Sequence, residues 1–152
     1  MAYDSRVDTH AHIMLVQKNL GRIIKCLVDR QQQHDLSKLE SPEKEAFDEA
    51  TPKLATLTYG SDEYRATLRE MKPALAHHYA ANRHHPEHHE TGIKGMNLLD
   101  LVEMLCDWSA AGKRHADNAG LRKSIELNQA RFGYSDELRA ILENTADLVE
   151  IG

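Results

Sequence analysis

Apolar residues recur at three- and four-residue steps along most of the chain, which is the period of an amphipathic helix. The longest such stretch runs from about Val7 to Gln32. One stripe of it contains Ile13, Val16, Leu20, Ile23, Ile24, Leu27 and Val28. This pattern predicts a long first helix, which ends in a run of glutamines before His34.

A serine-proline pair predicts where the second helix begins. Ser41 is expected to be the N-cap and Pro42 the first helical residue, since proline is well tolerated there. The helix is predicted to run through Phe47. Pro52 should then break or kink it, because proline removes a backbone hydrogen bond.

A third helix is predicted to begin at Asp62, with Ser61 as its cap. Its apolar side continues as far as His78, and Pro73 within it is expected to bend its axis. The segment from Asn82 to Gly95 has no helical period and contains proline and glycine, so it is interpreted as a loop.

Asn97 is predicted to cap the next helix, with Asp100 completing an approximate capping box. The expected core face of this helix contains Leu98, Leu101, Val102, Leu105 and Trp108. Two further helices are predicted from about Leu121 to Phe132 and from about Asp136 to Val149. Ser135 is the expected cap of the last helix.

Length and composition are those of an ordinary soluble protein. The 152 residues, 41% of them hydrophobic and 28% charged, predict one domain over residues 1–152. The helical periods, with no strand-like alternation of useful length, predict that it is all-α, a compact bundle of about six helices. A net charge of -5 argues against nucleic acid as the main partner. No membrane span or leader pattern is recognised, so a cytoplasmic protein is expected. The apolar last helix favours a homodimer.

The two cysteines, Cys26 and Cys106, lie within apolar helical patterns and not in a CxxC motif. We expect them to be buried, reduced thiols without a disulfide.

Candidate chemistry is concentrated in ten histidines, and above all in the adjacent pair His34-Asp35. Neutral imidazole and carboxylate are ligands for divalent transition metals, and a catalytic site leaves a position open to water. His12 on the first helix and Asp107 on a later helix would complete a site with two nitrogens and two carboxylates in the bundle core. The alternative is a simple turn in which Asp35 caps the next segment.

Six more histidines lie between His77 and His89. Within this cluster His78 and His85 are predicted to contact metal or phosphate, and His77 and His84 are the alternatives that exchange roles with them. His88 and His89 are more typical of solvated loop residues.

Three carboxylates, those of Asp100, Glu103 and Asp107, share one face of the predicted Asn97-capped helix. Their mutual repulsion would be balanced by a metal or by histidines. Alternatively, Asp100 serves the helix cap and Glu103 is an acceptor that holds a ligand histidine in place.

These motifs together resemble the HD-domain superfamily of metal-dependent phosphohydrolases, whose pattern is H…HD…D on a compact helical core. The run His34-Asp35-Leu36-Ser37-Lys38 is similar to the family's HD-x-[GS]-K turn, and Asp107 resembles its final aspartate. His12 matches the first histidine better than His10 does, because His12 shares a helix stripe with Val16.

The resemblance implies a ligand set and a catalytic set. The metal ligands would be His12, His34, Asp35, His78, His85 and Asp107, holding one or two ions of Mn, Fe, Co, Ni or Zn, with Mg also allowed. The catalytic residues would be Asp35, Lys38 and Arg83, and the last two would hold phosphate oxygens; Arg30 is a further candidate for this contact.

The implied function is hydrolysis of a nucleotide or another small phosphate ester by a metal-activated water. Two alternatives stay open. Some HD-fold proteins with extra histidines are di-iron oxygenases, and the chain could also be a metal- or ligand-binding module without turnover.

Overall fold

The structure, a computed structural model, describes residues 3–58, 60–113 and 120–150. These residues form seven α-helices and three short 3₁₀ turns, with no β-strand among them. The predicted all-α class is therefore confirmed, with one helix more than expected. The helices are α1 (Arg6–Gln33), α2 (Glu43–Leu54), α3 (Asp62–Glu70), α4 (Lys72–Ala81), α5 (Leu98–Gly112), α6 (Gly120–Phe132) and α7 (Asp136–Val149).

The chain divides into two compact units, residues 1–34 and residues 35–152. In the first unit, α1 begins one residue before the predicted helix and ends one residue after it. None of its residues is buried, and the apolar stripe is exposed at positions such as Ile13, Leu20 and Ile24. Helix periodicity therefore predicted this element accurately, while saying nothing of what its stripe contacts.

Helix α2 differs from its prediction at both ends. It begins at Glu43, after a cis Ser41–Pro42 peptide bond, and Pro42 occupies the cap position. Ser41 is therefore not the N-cap. Pro52 lies inside the helix, which continues to Leu54, so its prediction as a break was wrong. The missing N–H of Pro52 costs the helix one hydrogen bond, to the carbonyl four residues earlier, but the helix ends only two residues later, so the loss is confined to its last turn.

The predicted third helix is in fact two helices, α3 and α4. Ser61 caps α3 as expected, since its Oγ accepts the Tyr64 N–H at 3.1 Å. Met71 then leaves helical geometry, and Pro73 lies in the first turn of α4. At that position a proline has no hydrogen bond to lose. Pro73 therefore starts a helix and does not bend one.

The apolar core of the second unit lies between α5, α6 and α7. Its buried members are Met104, Leu105, Trp108, Leu121, Ile125, Tyr134, Leu142 and Ala146. Trp108 stacks parallel to Phe132 with ring centroids 6.3 Å apart. The predicted core face of α5 was partly wrong, because Leu98 is 76% exposed and Val102 is also exposed. Met104 takes their place in the core.

The structure tests two further predictions, the capping box at the start of α5 and the state of the two cysteines. The capping box at α5 is confirmed: Asn97 Oδ1 accepts from the Asp100 N–H at 3.0 Å, and Asp100 Oδ2 accepts from the Asn97 N–H at 2.9 Å. Cys26 and Cys106 are free thiols, as expected. Both are exposed, so their predicted burial was wrong. Helical periodicity had placed each cysteine beside an apolar stripe that does not cover it.

Within the described ranges, no helix combines the length and the apolar character that crossing a bilayer needs.

Truncation of a core leucine should destabilise the protein far more than truncation of an exposed one. Leu121 is 0% exposed in α6, whereas Leu148 is 74% exposed in α7. We expect Leu121→Ala to lower the free energy of unfolding by about 2–5 kcal/mol, because it removes buried methyl groups and leaves a cavity. Leu148→Ala should change it by less than about 0.5 kcal/mol. Urea unfolding followed by circular dichroism measures both, and equal losses would contradict the core described above.

Candidate metal centre

The backbone turns sharply at Asp35, which begins the second unit. Asp35 has φ 57° and ψ 14°, in the left-handed region, and it precedes the 3₁₀ turn Leu36–Leu39. Aspartate is one of the few residues other than glycine that visit this region readily. The turn brings Lys38 back over Asp35, so that Lys38 Nζ donates to Asp35 Oδ2 at 2.6 Å.

The other oxygen of Asp35 faces two buried histidines. Asp35 Oδ1 lies 3.4 Å from His78 Nε2 and 3.5 Å from His84 Nε2. His78 comes from α4, and His84 follows α4 in the loop. Three segments of the chain therefore direct polar atoms toward one point.

The ring of His78 is held by a carboxylate on its far side. His78 Nδ1 donates to Glu43 Oε2 at 2.8 Å. Its Nε2 faces His85 Nε2 at 2.9 Å, in addition to Asp35. A histidine whose Nδ1–H is engaged in this way carries its lone pair on Nε2, the form that binds a metal.

His84 repeats the same arrangement with partners from α5. The residue is 1% exposed, and its Nδ1 lies 3.2 Å from Glu103 Oε1. Its Nε2 faces Asp35 Oδ1 and, at 3.9 Å, Asp107 Oδ2. Glu103 and Asp107 are one helical turn apart on α5. The capping box at the start of α5 and the core side chains along it fix that helix.

The donor atoms of Asp35, His78, His84 and His85 all lie within 4.8 Å of one another. Donor atoms of Asp107, Asp35 and His84 also lie within 4.8 Å of one another. Around a tetrahedral metal with bonds of about 2.0–2.1 Å, donor atoms are separated by about 3.3–3.4 Å, close to the Asp35 contacts. A set of imidazole nitrogens and carboxylate oxygens suits Mn, Fe, Co, Ni or Zn. The residues present therefore fit a divalent transition metal.

Burial favours the neutral form of two histidines in this cluster, His78 and His85. It lowers the pKa of His85 to about 2, and the neighbouring His84 and His78 add to the effect by charge repulsion. Burial, followed by the charge of Lys38, also lowers the pKa of His78. Neutral imidazole is the form that coordinates a metal. His78 and His85 therefore need not lose a proton before they bind a metal at neutral pH.

A match to DUF5662, described as a family of unknown function, extends over residues 1–148. The chain belongs to this family. Comparisons with curated proteins and with solved structures found no match. Since DUF5662 has no assigned activity, the resemblance to the HD-domain superfamily stays a prediction.

In this DUF5662 chain four of the sequence-predicted site residues come together in the second unit: Asp35, His78, His85 and Asp107. Lys38 joins them through its ion pair with Asp35. His12 is exposed on α1, and His34 is the C-cap of that helix at the end of the first unit. Their roles as ligands stay predictions.

Arg83, predicted to hold phosphate, donates through Nη2 to the buried Asp100 Oδ2 at 3.2 Å. Its side chain is half exposed. His88 and His89, expected to be solvated, instead donate to backbone carbonyls, those of Tyr79 and Arg83 respectively, each at 2.9 Å. These contacts fix the loop that carries His84 and His85.

Two residues of the site were not chosen from the sequence. His84 had been only an alternative to His85, yet it is buried and faces Asp35, whereas His77 is half exposed. The sequence does not predict Glu43 as a site residue, since a glutamate in the first turn of a helix is commonplace. Glu103 lies beside the candidate ligand His84. This agrees with the alternative interpretation of the three carboxylates, in which Glu103 is an acceptor for a ligand histidine.

Acid should destabilise the metal-free protein through these histidines. Folded His85 has its pKa at about 2, while an unfolded histidine titrates near ~6.5. Between those values the unfolded chain binds more protons, so the free energy of unfolding falls as the pH falls. We expect His85→Gln to show a shallower loss than wild type from about pH 7 to about pH 5.

Urea unfolding in the presence of a chelator measures this dependence, with His10→Gln on the exposed surface of α1 as control. The control should keep the wild-type slope. A His85→Gln profile as steep as that of wild type would refute the assignment of a depressed pKa to His85.

Proposed function

We propose that this protein is a metal-dependent phosphohydrolase that acts on a nucleotide or another small phosphate ester. The observation that supports the proposal is the convergence of Asp35, His78, His84 and His85 on one point. Carboxylates hold the remote nitrogens of His78 and His84, as in many metal sites of proteins. The proposal includes one or two bound ions, a cytoplasmic location and a homodimer.

A divalent cation at this cluster supplies a water of lowered pKa and charge neutralisation for a phosphoryl group. The chain's own residues create the setting for this. Imidazole ligands add no negative charge, so a bound dication whose ligands are mostly histidines keeps more of its positive charge for an anionic substrate than one held by carboxylates alone. In the reaction, the water oxygen bonds to phosphorus, the ester P–O bond breaks, and the leaving alcohol takes up a proton.

Lys38 is the residue best placed to contact the substrate phosphate. Its Nζ lies between Asp35 Oδ2, at 2.6 Å, and the ring of Phe47, whose centroid is 4.9 Å away. The side chain is partly exposed, so its remaining N–H groups can donate to phosphate oxygens. Arg83 is also half exposed, but its guanidinium is engaged by Asp100.

Reconstitution and a substrate screen test the proposal. Metal-free protein is loaded with Mn, Co, Ni or Zn and assayed for phosphate release from nucleoside monophosphates, nucleoside triphosphates and an aryl phosphate. We expect Asp35→Asn to lose metal and turnover, because an amide replaces the carboxylate that faces both histidines. Asp48→Asn, which disturbs only an exposed ion pair with Lys44, should behave as wild type.

Several outcomes would count against the proposal. Full metal content and activity in Asp35→Asn would remove this site from the chemistry. Two irons per chain with dioxygen consumption would favour the oxygenase. Tight metal binding with no turnover on any substrate would favour a binding module.

A further inference from the structure

Glu43 is a carboxylate with 0% exposure that lies outside the cluster of donor atoms. Both of its oxygens are engaged. Oε1 accepts from His77 Nδ1 at 2.7 Å, and Oε2 accepts from His78 Nδ1 at 2.8 Å and from Ser37 Oγ at 3.0 Å. These donors come from α4 and from the 3₁₀ turn after Asp35, so Glu43 joins both segments to α2.

The surroundings of Glu43 favour its charged form. Burial opposes the charged form, but His77, His78 and Ser37 each donate a hydrogen bond to the carboxylate and so replace its hydration. Glu43 is also the first residue of α2, where the helix dipole stabilises negative charge. A buried ionised carboxylate is costly unless it is held by donors in this way.

The proton on the His78 ring is fixed by the same network. Asn82 Nδ2 lies 3.0 Å from His78 Nδ1, and it would be a rival donor to that nitrogen. Asn82 Nδ2, however, donates its two hydrogens to Ser37 Oγ, at 2.8 Å, and to the His78 carbonyl oxygen, at 2.9 Å. His78 Nδ1 is thus the donor to Glu43. The lone pair of the ring is consequently on Nε2, which faces Asp35 and His85.

We propose that Glu43 is a positioning residue for metal binding: it holds His78 in the tautomer and orientation in which Nε2 binds a divalent cation, and its charge makes that nitrogen more basic. The inference rests on the metal site of the proposed function and is independent of the reaction assigned to it. Glu103 offers a weaker version of the same contact, because its oxygen is 3.2 Å from His84 Nδ1 and its side chain is partly exposed.

A competing explanation is that Glu43 only fastens α2 to α4. Under that explanation, loss of the charge would lower stability and leave the metal affinity of the folded protein unchanged. The two explanations therefore differ in a quantity other than stability.

Titration of the full metal-free chain with Co²⁺, followed by its visible absorption, distinguishes them. Glu43→Gln keeps the size and an acceptor oxygen but removes the charge, and we expect it to bind Co²⁺ about 10–100-fold more weakly than wild type. The absorption bands should shift as well, because a neutral amide leaves His78 Nε2 a weaker donor to the metal. Glu49→Gln is the same change on the same helix, but it disturbs only an exposed ion pair with Lys53, so its affinity should match wild type.

Thermal unfolding of the metal-free variants separates stability from affinity. Should Glu43→Gln fail to fold, Glu43→Asp takes its place: it keeps the charge but shortens the reach to His78, and should bind Co²⁺ more weakly with Tm largely retained. Wild-type affinity and spectrum in the folded variant would overturn the positioning role and leave the metal site standing. A wild-type protein that binds no Co²⁺ would instead overturn the proposed function, and this inference with it.

Discussion

The arrangement of the second unit depends on one buried carboxylate, that of Glu43. Glu43 has no exposed surface, and an ion in such a place is tolerated only when donors replace its hydration. Three side chains supply them, and they belong to the 3₁₀ turn and to α4. Because these donors must all reach one carboxylate, the start of α2, the turn after Asp35 and the middle of α4 are fixed relative to each other. The candidate ligands Asp35 and His78 lie on these segments, so their positions relative to each other are fixed as well.

A second group of polar contacts places the other half of the cluster. Asp100 closes the capping box of α5 and also accepts from Arg83, the residue before His84. The imidazole of His89 donates to the Arg83 carbonyl. The loop that carries His84 and His85 is therefore attached to the same helix that presents Glu103 and Asp107. Helix α5 is in turn anchored by the apolar core through Leu105 and Trp108.

Local signals in the sequence predicted the helices well, because capping acts within a few residues. Ser61, Asn97 and Ser135 each accept a backbone N–H at the predicted helix start. The prolines were harder to interpret. Whether Pro73 bends a helix or begins one depends on the geometry of the preceding residue, and no local pattern encodes it.

Residue type was enough to select Asp35, His78, His85 and Asp107, since few other side chains suit a transition metal. It could not rank His84 against His77, because adjacent histidines differ only in which side of the backbone meets the rest of the protein. The sequence could not identify Glu43 as a site residue for a related reason. Glu43 and Glu45 both lie in the first turn of α2, and only the packing of α2 against α4 makes the first of them a partner of His78.

The left-handed backbone at Asp35 narrows what evolution or a protein engineer could place there. Glycine would satisfy the backbone at no cost, yet it offers no ligand. Asparagine would tolerate the conformation but lacks the charge, and glutamate would keep the charge while adopting a positive φ far less readily. Position 35 is thus constrained twice, by chain geometry and by ligand chemistry. Of the common amino acids aspartate best meets both demands.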